Sequence, residues 1–183
     1  YKSRREYRGA VEDFTRALEF NPRLASAYYE RASAYWHLKE FDLALADYTM
    51  AIELDPQDAS SYNDRGVLHH LQDRHQEAIV DFNRSISLQP TSYKPHFDRA
   101  VSYQSLKKYG RAIKDYTTVI ALQPDMADAH NNRAVCYLMA GKPDRAVRDW
   151  KRALEIDPGQ TSARMNLHVV YRNLTQSGEG KAT

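Results

Sequence analysis

The chain has 183 residues, with 26 Lys+Arg against 24 Asp+Glu, and its formal charge of +2 argues against a dedicated nucleic-acid binder, which concentrates a large basic excess. Hydrophobic residues make up 42% of it, yet mean hydropathy is −0.73. No run approaches the roughly 18 apolar residues that cross a bilayer, so no membrane insertion is expected. Cys136 is the only cysteine, which excludes an internal disulfide and points to a reducing, intracellular setting, most naturally the cytoplasm.

The chain repeats itself. Pro22, Pro56, Pro90, Pro124 and Pro158 stand 34 residues apart, with only Pro95 and Pro143 outside the series. Ala10, Ala44, Ala78, Ala112 and Ala146 keep the same period, as do Asp13, Asp47, Asp81, Asp115 and Asp149. Each aspartate is followed by an aromatic residue: Phe14, Tyr48, Phe82, Tyr116 or Trp150. A further column runs Tyr1, Tyr35, His69, Tyr103, Tyr137 and Tyr171. Several independent columns at one period define a repeat architecture.

In chain order, residues 1–24 read as the rear part of a unit whose first helix is mostly missing, with a helix over 8–20. Four full units follow, 25–58, 59–92, 93–126 and 127–160. In the first of them, Tyr28, Ala32, Tyr35 and Leu38 line one helix. A polar turn covers Lys39 to Asp42, and Ala44, Tyr48, Ala51 and Ile52 line a second helix. Proline closes each second helix, because it drives the residue before it out of helical geometry. Small residues at Ala32, Gly66, Ala100 and Ala134 mark where the two helices approach most closely. Residues 161–174 read as a polar capping helix, where His168 replaces the small residue, and 175–183 as a disordered tail.

These columns resemble the tetratricopeptide repeat: aromatic at the fourth place, small at the eighth, Tyr at the eleventh, Ala at the twentieth, aromatic at the twenty-fourth and Pro at the thirty-second. His96, His130 and Arg164 depart from the aromatic place, and His69 from the Tyr. The resemblance implies an all-α fold, a right-handed superhelical solenoid of antiparallel helical hairpins. It also implies a concave groove lined by the first helices. By family position one groove row would hold Tyr29, Asn63, Phe97, Asn131 and Met165, and a second Glu30, Asp64, Asp98, Asn132 and Asn166. The third would hold Ser33, Val67, Val101, Val135 and Val169. Amides suit a peptide backbone, and valines and aromatics suit its side chains.

The implied function is a non-catalytic protein-interaction scaffold for a peptide or partner domain. The alternatives are the substrate-recruiting region of a larger enzyme, or a module that self-assembles through the incomplete N-terminal repeat. Chaperone-binding relatives use a carboxylate clamp of Lys and Asn, then Asn, then Lys and Arg. The matching places here hold Tyr29 and Ser33, Asp64, and Lys94 and Asp98, of which only Lys94 fits. A one-unit shift, to Asn63 and Val67, Asp98, and Asp128 and Asn132, fits no better. Acidic chaperone tails are therefore not the expected ligand, and Glu30, Asp64 and Asp98 favour a neutral or basic segment.

No catalytic motif, phosphate loop or paired-cysteine motif is present, and no cofactor is expected. His69, His70 and His75 suggest a metal, but two of them occupy columns that elsewhere hold aromatic rings, and ring-for-ring replacement is the simpler reading. Arg31, Arg65, Arg99 and Arg133 form an unusual column at the seventh place. They could grip acidic ligands. A partly buried guanidinium needs a carboxylate, however, so pairing with the aspartate column (Asp13, Asp47, Asp81, Asp115, Asp149) of the same or preceding unit is favoured.

Overall fold

A computed structural model describes the backbone of residues 4–179 and the side chains of residues 4–172. Tyr1 and residues 180–183 therefore lie outside the described residues. Ten α-helices and no strands are found among those described. They are α1 (Arg4–Phe20), α2 (Ala25–Leu38), α3 (Phe41–Leu54), α4 (Ala59–Leu71) and α5 (His75–Leu88), then α6 (Tyr93–Ser105), α7 (Tyr109–Leu122), α8 (Ala127–Met139), α9 (Pro143–Ile156) and α10 (Thr161–Glu179). The chain divides into two compact units, Tyr1–Pro90 with α1–α5 and Thr91–Thr183 with α6–α10.

The prolines act as expected. The residues ahead of four of them, Asp55, Gln89, Gln123 and Asp157, have left the helix, with φ between −128° and −137° and ψ between 78° and 94°. The turn inside each hairpin has a second regularity. Lys39, Asp73, Lys107 and Gly141, again 34 residues apart, all adopt the left-handed conformation, with φ of 64°, 59°, 57° and 72°. This lets the chain reverse within two or three residues, and only at Gly141 does the residue avoid the steric cost of its Cβ there.

Two helix ends differ from the sequence expectation. α1 starts at Arg4 and continues through Arg5, the repeat equivalent of left-handed Lys39. Among the described residues it has no preceding helix to turn back on, so helical propensity prevails. α10 runs to Glu179, past residue 174. No proline follows Leu174, so nothing in the backbone forces a stop there.

Within each hairpin the core is small residue against small residue, flanked by an aromatic ring. Ala32 of α2 and Ala44 of α3 pack with Tyr48 and Leu68. Ala100 and Ala112 pack with Tyr116 and Cys136, and Ala134 and Ala146 with Trp150, Ala153, Ala163 and Val170. In the remaining hairpin the ring is Phe82 and the small residue is Gly66. A Cβ placed on Gly66 would come 2.7 Å from Phe82 Cε1, so glycine is required by close approach rather than by backbone angle.

Candidate interaction surface

In the Tyr1–Pro90 unit, the first helices of the hairpins are α2 and α4. A hydrogen bond joins them: the Tyr29 hydroxyl donates to Asp64 Oδ2 at 2.9 Å. Burial pushes the Tyr29 hydroxyl well above its ordinary value, and the Asp64 charge adds to this, so it stays a donor. Asn63 donates to the other Asp64 oxygen at 3.4 Å, and the Tyr29 and Tyr48 rings lie 5.6 Å apart. Glu30 is exposed, while Val67 is half-buried. Val67, Ser33, Trp36, Tyr48 and Asp64 line an open cavity of about 210 Å3.

In the Thr91–Thr183 unit the corresponding helices are α6, α8 and α10. Phe97 packs edge-on against Tyr116 at 5.6 Å and 72°, and Asp98 beside it is half-buried. Val101 and Val135, both half-buried, line an open hollow with Gln104, Asn132 and Met139. Met165 and Val169 on α10 are exposed.

Asn131 differs in burial from the other described residues of its row. It is only 8% exposed, and its side-chain oxygen accepts a hydrogen bond from Trp150 Nε1 at 3.2 Å. Its amide nitrogen donates to Asn132 Oδ1 at 3.2 Å. The residue satisfies a buried indole and presents little surface to a ligand.

The arginine and aspartate columns meet in four two-pronged pairs, each within its own hairpin. Arg31 binds Asp47 through Nε at 2.6 Å and Nη2 at 2.8 Å. Arg65 binds Asp81 at 2.8 and 2.7 Å, Arg99 binds Asp115 at 2.8 and 2.6 Å, and Arg133 binds Asp149 at 2.7 and 2.8 Å. Arginine and aspartate side chains here are at most 20% exposed. Asp13 is exposed. Guanidinium groups also bond to the preceding hairpin or helix: Arg31 to Thr15 at 3.1 Å, Arg65 to Thr49 at 3.4 Å and Arg133 to Thr117 at 3.1 Å. Bidentate pairing of this kind engages both carboxylate oxygens and two guanidinium nitrogens of each pair.

Histidines cluster on the same pairs. His69 Nε2 lies 3.8 Å from Asp81, His96 Nδ1 3.6 Å from Asp115 and His130 Nδ1 3.7 Å from Asp149. His70 and His75 pack ring to ring at 4.8 Å, and no group of three His, Cys, Asp or Glu side chains placed to hold a metal occurs among the described residues. Cys136 is fully buried beside Gln104, and burial pushes its thiol up to about 12, so it is not a nucleophile at neutral pH.

Burial holds His69 and His70 below the ordinary histidine value of 6.5, the nearby charge of Asp81 opposing the shift only partly at His69. The unfolded chain therefore binds more protons than the fold just below that value. Stability contributed by the neutral rings is fully present above pH 6.5 and is lost as pH falls from there through the lower value in the fold. Thermal melts at about pH 5.5 should show a lower midpoint than at about pH 7.5, and the His69→Gln, His70→Gln double variant should show a smaller difference between the two.

Sequence reasoning missed three features. One is the left-handed column, whose only visible sign is Gly141. The threonines at 15, 49 and 117 keep the 34-residue period and could have been found by it. Trp36 could not, because its register holds His70, Gln104 and Leu138 elsewhere.

Comparison with known proteins agrees with this geometry. Tetratricopeptide repeat family models match residues 25–58, 48–80 and 97–161. A crystal structure of MamA is similar with a TM-score of 0.80 at 23% identity, covering 83% of this chain and 89% of that one. MamA 41-end from Desulfovibrio magneticus RS-1 is similar with a TM-score of 0.75 at 12% identity, covering 86% of this chain and 97% of that one. These two likenesses concern the fold alone. The first tetratricopeptide repeat domain of Spaghetti (RPAP3), bound to the HSP90 peptide SRMEEVD, is similar with a TM-score of 0.63 at 26% identity, covering 66% of this chain and 96% of that one. No curated protein matches by sequence. The periodic columns, the ten helices and the matched segments together place this chain in the tetratricopeptide repeat family, as an all-α repeat array.

Proposed function

We propose that the protein is a non-catalytic interaction scaffold that holds an extended segment of a partner protein on the faces of its first helices, with a preference for neutral or basic over acidic segments. The observation that carries the preference is the charge on α2 and α4. These helices contain Glu30 and Asp64 and no lysine, and their arginines, Arg31 and Arg65, are tied to Asp47 and Asp81. An acidic segment laid there meets the negative charge of Glu30 and Asp64, which costs affinity and slows encounter.

The structurally similar Spaghetti domain is bound to SRMEEVD, a peptide with an acidic end. The places where clamp-type relatives carry Lys and Asn hold Tyr29, Ser33 and Asp64 here, so the same ligand class is not supported. The test is fluorescence anisotropy with labelled SRMEEVD, a neutral version with Gln and Asn replacing its acids, and a basic version with Lys replacing them. The neutral and basic peptides should bind at least about tenfold more tightly than the acidic one, a difference of about 1.4 kcal/mol, and the basic peptide should weaken with salt. Binding of the acidic peptide alone would overturn the preference.

A further inference from the structure

The cavity between α2, α3 and α4 has a composition that the general groove reading does not explain. At about 210 Å3 it is smaller than the roughly 300 Å3 at which small-molecule pockets begin, and its size suits one side chain of a larger ligand. It is lined by Trp36, Tyr48 and Val67 together with the polar residues Ser33 and Asp64. Trp36 is 38% exposed despite its size, so its indole is open to a ligand. The indole is also held in place: it meets the His37 ring edge-on at 5.0 Å and 89°, and His37 stacks on Tyr7 at 4.3 Å and 17°. Asp64 is oriented by the Tyr29 hydroxyl.

We infer that this cavity is a subsite for a cationic side chain, arginine above lysine, of a bound peptide. A guanidinium can lie flat on the Trp36 face while its N–H groups meet Asp64, a combination that an ammonium satisfies less well. Its methylene stem would run along Val67 and the Tyr48 ring. The cations already on these helices do not compete strongly. Arg31 and Arg65 are paired with aspartates, His37 is engaged in the aromatic stack, and His69 and His70 are kept neutral at pH 7 by burial. The Tyr48 hydroxyl is pushed far up by burial and then by the negative charges of Asp64 and Glu30, which is the sign of field that attracts a cation.

This subsite rests on the scaffold reading above, and the experiment separates the two. Labelled, end-capped heptapeptides of Gly, Ser and Ala carry one central residue: arginine, lysine, citrulline, norleucine or glutamate. Anisotropy should rank arginine first, at least tenfold tighter than citrulline, which keeps the shape and loses the charge. Asp64→Asn should abolish that margin and Trp36→Leu should reduce it, while Asp144→Asn, an exposed carboxylate on α9, should leave it intact. The two tryptophans locate the event: Trp150 is fully buried, so quenching by the arginine peptide should come from Trp36 and vanish in Trp36→Leu. Circular dichroism melts establish that each variant is folded, and because Trp36 is exposed its variant is informative even if Asp64→Asn loses structure. Equal binding of the arginine and citrulline peptides, or an arginine margin that survives in folded Asp64→Asn and in Trp36→Leu, would overturn the subsite and leave the scaffold reading standing. Failure of every peptide, including the neutral and basic versions of SRMEEVD, would overturn both.

Discussion

Trp150→Ala is expected to destabilise the Thr91–Thr183 unit by about 3–5 kcal/mol. Trp150 is the largest of the fully buried side chains, with no exposed surface. Truncation leaves a void lined by Ala134, Ala146, Ala153 and Ala163, whose methyl groups are too short to collapse into it. It also removes the donor to Asn131, leaving a buried amide oxygen without its partner. Trp150→Phe separates the two contributions, because it keeps most of the ring and drops the N–H, and it should cost about 1–3 kcal/mol. Urea unfolding followed by circular dichroism measures both changes. A cost under about 1 kcal/mol for the alanine variant would mean that the ring does not organise this core.

The second large effect concerns the Arg65–Asp81 pair. Arg65→Leu and Asp81→Leu should each cost about 3–5 kcal/mol, because each strands a desolvated charge. The Asp81 side chain is 4% exposed and that of Arg65 20%, so the carboxylate is the more deeply stranded partner. Leucine at both positions removes both charges together, and the double variant should cost well under the sum of the single changes, with a coupling of about 0.5–3 kcal/mol. His69 affords a further check on the single variants. With Arg65 gone, the histidine 3.8 Å from Asp81 becomes its nearest cation, so Arg65→Leu should be least damaging at about pH 5.5, where the imidazole can charge. Strict additivity in thermal or urea unfolding would show that the two side chains do not act as a pair.

The scaffold was legible in the sequence because its determinants recur. Proline, the small residues and the aspartate–aromatic dipeptide each solve a local problem that every hairpin poses, so each stands in the same register throughout. The Arg–Asp pairs could be anticipated for the same reason, although which hairpin supplied the aspartate was open until the bond lengths were known. What was not legible is specific to single hairpins. Asn131 occupies a place that elsewhere carries half-buried Tyr29, Asn63 or Phe97, and it is drawn inward because its hairpin uses Trp150 in place of tyrosine or phenylalanine. An indole N–H buried at that depth requires an acceptor. Trp36 has no repeating counterpart, so no column announces it. The left-handed turn was hidden by Lys39, Asp73 and Lys107, since the backbone geometry there is imposed by the hairpin and tolerated by residues that do not prefer it.

The third bond of the guanidinium groups bears on how the array is made. Arg31 reaches back to Thr15, Arg65 to Thr49 and Arg133 to Thr117, always from the later helix to a hydroxyl sixteen residues earlier. A chain leaving the ribosome N-terminus first presents the hydroxyl before the arginine that will use it. Each new hairpin can thus close its own ion pair and bond to its predecessor as it emerges, while apolar packing such as Leu68 on Ala32 and Ala44 awaits the next helix. The guanidinium–hydroxyl bonds of these stretches can therefore form in the order of synthesis.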